Sequence, residues 1–112
     1  MYAKRVPIRS KKLLEACREI PCQVSGVQDG TVVAAHSNWA EHGKGKGVKA
    51  DDNRVASLSY AVHMELDQGS RWTRMERRKI WWDAHVKTVQ ELCKRGLWPL
   101  NVPIPDIRNF DA

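Results

Sequence analysis

The chain has 112 residues, enough for one domain with a modest core and too few for a second. Its hydrophobic fraction of 42% is too high for a disordered chain. Lys and Arg number 19 against 13 Asp and Glu, and the resulting formal charge of +6 favours polyanionic partners, nucleic acid first and anionic membrane second.

Residues 1–9 are basic and carry Pro7, which predicts an extended arm. Ser10 can cap a helix, and Leu13, Leu14, Cys17 and Ile20 recur at helical spacing until Pro21 ends the run. Two short β-prone runs then flank Gln28-Asp29-Gly30, and Asp-Gly is a strong turn signal. This predicts a β-hairpin whose second strand, Thr31 to Ala35, delivers His36 at its end. Residues 37–53 read as a polar loop whose stretch 43–50, with three glycines and three lysines, packs no core and meets phosphates through Lys44, Lys46 and Lys49. His42 is expected to be solvated there.

Val55, Leu58, Ala61 and Val62 recur at helical spacing, which predicts a short helix carrying His63 and Asp67 and closing near Gly69. Thr73 and Glu76 match a capping box that opens a long helix over about 73–96. Its expected stripe is Trp82, His85, Val86, Val89 and Cys93, with Ile80, Trp81 and Leu92 beside it, His85 as packing and Gly96 at the stop. Arg71, Arg74, Arg77, Arg78 and Lys79 crowd its N-terminal end, where cations oppose the helix dipole, so an anionic partner is a reason for them. The tail, 97–112, holds three prolines and reads as an extended wrap. The predicted architecture is a single α+β domain: a hairpin plus short helix over about 20–70, flanked by an N-terminal and a long C-terminal helix.

No apolar run of about 18 residues is present, so no membrane span is expected. The opening residues lack the apolar stretch of a signal peptide, so the expected place is the cytoplasm. Three cysteines do not suggest a disulfide framework. Cys17 and Cys93 read as small buried residues on helices.

The stretch that could carry chemistry runs from His36 to Asp67. Phosphodiester hydrolysis needs a base for water, a divalent metal for the phosphate and leaving oxygen, and cations for the backbone. His63 and Asp67, at i and i+4, project from one helical face. An imidazole with a carboxylate suits Mg²⁺, Mn²⁺, Ni²⁺ or Zn²⁺.

The order "PCQVSG…VVAAHSN…GKGKGVKADDNRVASLSYAVHMELDQG" resembles the small phage and prophage His-Asn-His (HNH, ββα-metal) nucleases of the YbcO-like family, and the nuclease half of phage recombination-enhancement (Ref-like) proteins. The resemblance covers roughly residues 20–70. It implies a ββα-metal core, a metal-dependent DNA endonuclease acting in phage recombination, replication or DNA processing, and a bacterial host cytoplasm. Carried over by motif, the strand-end histidine that acts as general base falls on His36. The central residue that orients the base or the loop falls on Asp52 or Asn53. The helix metal ligand falls on His63, and a second on Asp67. Mg²⁺ or Mn²⁺ is the expected metal, with Ni²⁺ or Zn²⁺ as alternatives. Ala35 stands where many HNH motifs place a further ligand, and Glu65 is a spare carboxylate.

Relatives often hold this unit with a structural zinc on two cysteine pairs. Here Cys22 remains, but Ser25, Ser59 and Val62 stand at the other positions. A closed zinc site wants four thiolate or imidazole ligands, so no structural zinc is expected, with apolar packing in its place. Two rival readings follow: a DNA-binding or recombination-accessory protein that keeps the HNH fold without catalysis, and a small interaction protein using its tryptophan-rich helix. DNA is the expected partner, Lys44, Lys46, Lys49, Arg71, Arg74, Arg77 and Arg78 the expected backbone contacts, and a homodimer is left open.

Overall fold

A computed structural model of the chain describes residues 6–39, 42–45, 48–108 and 110; Lys46 lies outside the described residues. Ser10 starts the first helix as expected. Its hydroxyl accepts the Leu13 N–H (3.1 Å), α1 spans Lys11–Ala16, and a 3₁₀ turn, Cys17–Glu19, closes the segment.

The next segment departs from the predicted hairpin. Residues 22–27 fold into a tight turn in which Cys22 N–H donates to Val27 C=O (2.9 Å) and Gly26 N–H to Cys22 C=O (2.8 Å). Gly26 takes φ +77°, open to glycine and costly for other residues. Asp29-Gly30 does bend the chain, with Thr31 N–H and Oγ1–H both donating to Asp29 Oδ1 (3.0 and 2.6 Å). No strand precedes it among the described residues.

The strand that follows, β1 (Val33–His36), pairs instead with β2 (Val55–Leu58), antiparallel, with Val33 opposite Leu58 and His36 opposite Val55. Residues 55–58 were expected to begin a helix. They form a strand because both of their faces are covered. Val55 enters a core with Leu13, Ala16, Cys17, Ile20, Leu92 and Val102. Ala56 and Leu58 enter another with Cys22, Val32, Ala35, Trp39, Trp81, Trp82 and Ala84. Successive side chains of a strand point to opposite faces, which divides them this way. Ser57 is buried too and is satisfied twice: its N–H donates to Thr88 Oγ1 (2.9 Å) and its hydroxyl to Cys17 C=O (2.7 Å).

Ser59 then caps α2 (Tyr60–Gln68), its hydroxyl accepting the Val62 N–H. Gly69 closes α2, and a Cβ there would meet the Glu65 carbonyl at 2.5 Å. The long helix α3 (Arg74–Lys94) opens on the full Thr73–Glu76 capping box. It stops in a Schellman motif: Leu97 N–H reaches Leu92 C=O (2.8 Å), Gly96 N–H reaches Cys93 C=O (3.1 Å), and Gly96 has φ +70°.

The buried face of α3 is Trp81, Trp82, Ala84, His85, Thr88, Val89 and Leu92. It is rotated from the expected stripe, so Cys93 is exposed rather than buried. The tail beyond has no regular element and wraps the body, with Asn53 Nδ2–H donating to Pro103 C=O (3.0 Å) and Arg54 to Asp106 C=O (3.0 Å). The described residues thus form an α+β fold of three helices on a two-stranded antiparallel sheet. No helix among the described residues is long and apolar enough to cross a membrane.

Candidate functional site

His36 is the last residue of β1, and the loop that leaves it returns at β2. Ser37 N–H donates to Arg54 C=O (3.0 Å), so the pairing continues one step past the strand end. The loop was expected to be polar, with its 43–50 stretch packing no core and His42 solvated. It is instead anchored at both ends: Trp39, His42, Ala50, Asp51, Asp52 and Asn53 are all buried. Trp39 and His42 stack at 4.7 Å, and His42 Nδ1 shares a hydrogen bond with Ser37 Oγ (2.7 Å), so His42 is a packed residue. Lys44 and Lys49 keep their exposure on this loop.

Burial of the 51–53 turn brings Asp52 to His36. Asp52 Oδ1 lies 2.8 Å from His36 Nε2, with the carboxylate side chain 3% exposed and the imidazole 20%. The other carboxylate oxygen accepts the Ser10 N–H (2.7 Å). Asn53 faces elsewhere, toward Pro103. Of the two residues left open by the sequence, Asp52 is therefore the one in contact with the strand-end histidine.

α2 carries His63 and Asp67 one turn apart, with His63 Nε2 3.1 Å from Asp67 Oδ2 and both side chains partly exposed, 35% and 44%. A cavity of about 320 Å³ lies between α2, the end of β1 and the first turns of α3. His36, His63 and Asp67 all line it, on walls made by Ala35, Leu58, Leu66 and Trp81, with Arg74, Arg77 and Arg78 on the α3 side. Arg71, Lys44 and Lys49 are not among the lining residues, and neither is Glu65.

The α3 arginines are held in distinct ways. Arg78 lies 4.2 Å over the Trp39 ring. Arg77 donates weakly to Leu66 C=O (3.4 Å), and its Nε is buried without a hydrogen-bond partner. Arg71, outside the cavity, sits 4.9 Å over Trp72.

Comparisons with family models, with curated proteins and with solved structures returned no match for this chain. The chemistry of the site is therefore read from its own groups.

Among the described residues no three His, Cys, Asp or Glu side chains gather into a ready metal-binding group. His63 and Asp67 form a pair, one imidazole nitrogen and one carboxylate opening on a solvent-connected cavity. Such a pair fits an octahedral cation that keeps several waters and takes further oxygens from a phosphate. In its Nε2–H tautomer His36 donates to Asp52 Oδ1 and leaves Nδ1 as an acceptor.

Cys22, Ser25, Ser59 and Val62, the positions compared with the HNH zinc cysteines above, lie in one region of the fold. Ser25 N–H lies 3.5 Å from Cys22 Sγ. Burial pushes the Cys22 thiol up, but hydrogen bonds from Ser25 and from the backbone of Ser25, Ser59 and Val24 outweigh it and bring the group down to about 7. Val62 packs against the core that holds Cys22.

The sequence did not single out Arg9, and it marked Ser10 only as a helix cap; both sit on Asp52 from more than forty positions away. No local pattern links them to it. Of the tryptophans that wall the cavity, Trp81 was placed beside the helix stripe, and Trp39 carried only the signal of being aromatic.

Proposed function

We propose that this protein is a metal-dependent DNA endonuclease of the HNH type, with β1, β2 and α2 as its ββα unit. One observation carries the reading: a histidine held by a carboxylate at a strand end shares a single cavity with a histidine–aspartate pair one helical turn apart. The convergence of Cys22, Ser25, Ser59 and the Val62 packing supports the same registration of the chain on the family pattern.

In this mechanism Asp52 fixes the imidazole of His36 so that its free nitrogen takes a proton from water. The hydroxide so formed attacks phosphorus, and the 3′ oxygen leaves. His63 and Asp67 would hold the divalent cation, Mg²⁺ or Mn²⁺ first and Ni²⁺ or Zn²⁺ otherwise, whose charge stabilises the phosphate and the leaving oxygen. Arg74, Arg77 and Arg78 hold the phosphates next to the cut, and Arg71, Lys44 and Lys49 hold DNA further out. Backbone contacts of this kind give salt-dependent binding with little sequence preference.

The test is nicking of supercoiled plasmid by purified protein across Mg²⁺, Mn²⁺, Ni²⁺ and Zn²⁺, with a chelator control. Metal-dependent nicking is expected. DNA binding with no nicking under any metal would favour the second reading, a recombination-accessory protein, which the single remaining cysteine also favours.

A further inference from the structure

We propose that Arg9 is a positioning residue for the reaction, acting through Asp52 on His36; its catalytic half rests on the nuclease reading. Residues 8–10, just before α1, are stitched to the 49–52 segment of the loop. Ile8 N–H donates to Asp51 Oδ1 (3.2 Å), and Asp52 N–H donates to Ile8 C=O (2.9 Å). The Arg9 guanidinium donates to Ala50 C=O (2.9 Å) and Lys49 C=O (3.1 Å). Its Nη1 also lies 3.8 Å from Asp52 Oδ1, the same oxygen that meets His36.

A carboxylate as buried as Asp52 persists only with charged or hydrogen-bonding partners. Three groups meet that need: the Ser10 N–H, the His36 imidazole and the Arg9 guanidinium. Ser10 is itself fixed, because it caps α1, whose Leu13 and Ala16 are buried in the core. The arm therefore ties the loop turn that carries Asp52 to a rigid element. Arg9 is the only charged side chain in this tie from the arm among the described residues. Without it, the carbonyls of Lys49 and Ala50 lose their donors, and Asp52 keeps one oxygen fixed and the other steered only by His36.

The tautomer of His36 is the consequence. Asp52 at Nε2 selects the Nε2–H form, which leaves Nδ1 to accept the water proton. A carboxylate free to swing selects neither form firmly.

The experiment compares wild type with Arg9→Ala by long-range ¹H–¹⁵N spectra of the four histidines and by steady-state plasmid nicking in Mn²⁺. The Nε2–H form of His36 is expected in wild type and a mixture of tautomers in Arg9→Ala. The variant's kcat should fall about tenfold, with KM for plasmid unchanged. Unaltered His36 signals would overturn the proposal. So would a raised KM with unchanged kcat, which would make Arg9 a DNA contact. If wild type nicks no substrate, the nuclease reading fails, and the spectra still decide whether Arg9 positions His36. If Arg9→Ala is unfolded by circular dichroism, Arg9→Gln, which keeps a donor for one carbonyl, carries both readouts with the same expected and contrary results.

Discussion

His36 Nε2 stands 2.8 Å from Asp52 Oδ1, and the carboxylate that meets it is almost sealed from solvent. A strand-end imidazole and a loop aspartate sixteen positions later are thereby one unit. Replacing Asp52 with Ala removes the acceptor of both the Ser10 N–H and the imidazole. Stability should fall by about 1–3 kcal/mol, as a buried donor is left unmet. The kcat should drop by about 100-fold with DNA affinity retained. Urea denaturation and filter binding separate the two effects; loss of affinity with normal turnover would contradict the assignment.

The His63–Asp67 pair is the proposed cation site. His63→Ala and Asp67→Ala should each weaken Mn²⁺ binding, followed by calorimetric titration, while leaving the thermal melt of the metal-free protein nearly unchanged, because both side chains are partly exposed. Wild-type Mn²⁺ affinity in both variants would move the cation elsewhere.

Three arginines line the same cavity from α3. Each contact to a phosphate releases counterions, so Arg77→Ala should lower the slope of log affinity against log salt by about 1. Lys94→Ala, at the far end of α3, should leave the slope as it is. Equal slopes for wild type and Arg77→Ala would exclude Arg77 from the DNA contact.

His85 has a different role. It is fully buried, its Nδ1–H donates to Val55 C=O (2.8 Å), and its Nε2 faces Arg54 Nη1 (3.4 Å). Desolvation first, then the Arg54 and His42 charges, pull it from 6.5 down to about 4, against the raising effect of the Val55 carbonyl. The folded protein therefore holds it neutral, with Nδ1–H donating to Val55. Between pH 6.5 and 4 the unfolded chain binds a proton that the folded chain does not. Stability is complete above pH 6.5 and falls as pH drops toward 4, by on the order of 3 kcal/mol. Denaturant titrations at pH 7.5 and 4.5 should show this, and His85→Gln should flatten it.

Cys22 and the three positions compared with it, Ser25, Ser59 and Val62, give a structural test that needs no activity. The triple variant Ser25→Cys, Ser59→Cys, Val62→Cys should bind Co²⁺ with the visible spectrum of tetrahedral thiolate ligation. Absence of that spectrum in a folded variant would argue against the ββα registration.

Much of this was legible in the sequence where a local rule decided it. The caps at Ser10 and Thr73 and the stop at Gly96 each depend on a few adjacent residues, and each appears as expected. β2 was not legible, because a strand covered on both faces shows no alternation, and Val55 and Leu58 happen to fall at helical spacing with Ala61 and Val62. The 22–27 run misled for the complementary reason: its β-prone residues fold around Gly26 into a turn, and the true partner of β1 lies across the loop. The loop itself looked solvated from its glycines and lysines, but the stacking of Trp39 on His42 and Trp82 is a tertiary contact with no signature along the chain. His36, His63 and Asp67 were legible as a set; that Asp52 rather than Asn53 meets His36 is decided by the arm at Ile8–Ser10, far away in sequence.

The most direct test of the central claim is Mn²⁺-dependent plasmid nicking by wild type and His36→Ala, measured beside the DNA affinity of each. The account predicts nicking by wild type, none by His36→Ala, and equal affinities. Normal nicking by His36→Ala would contradict it, because the imidazole held by Asp52 would then not be the base.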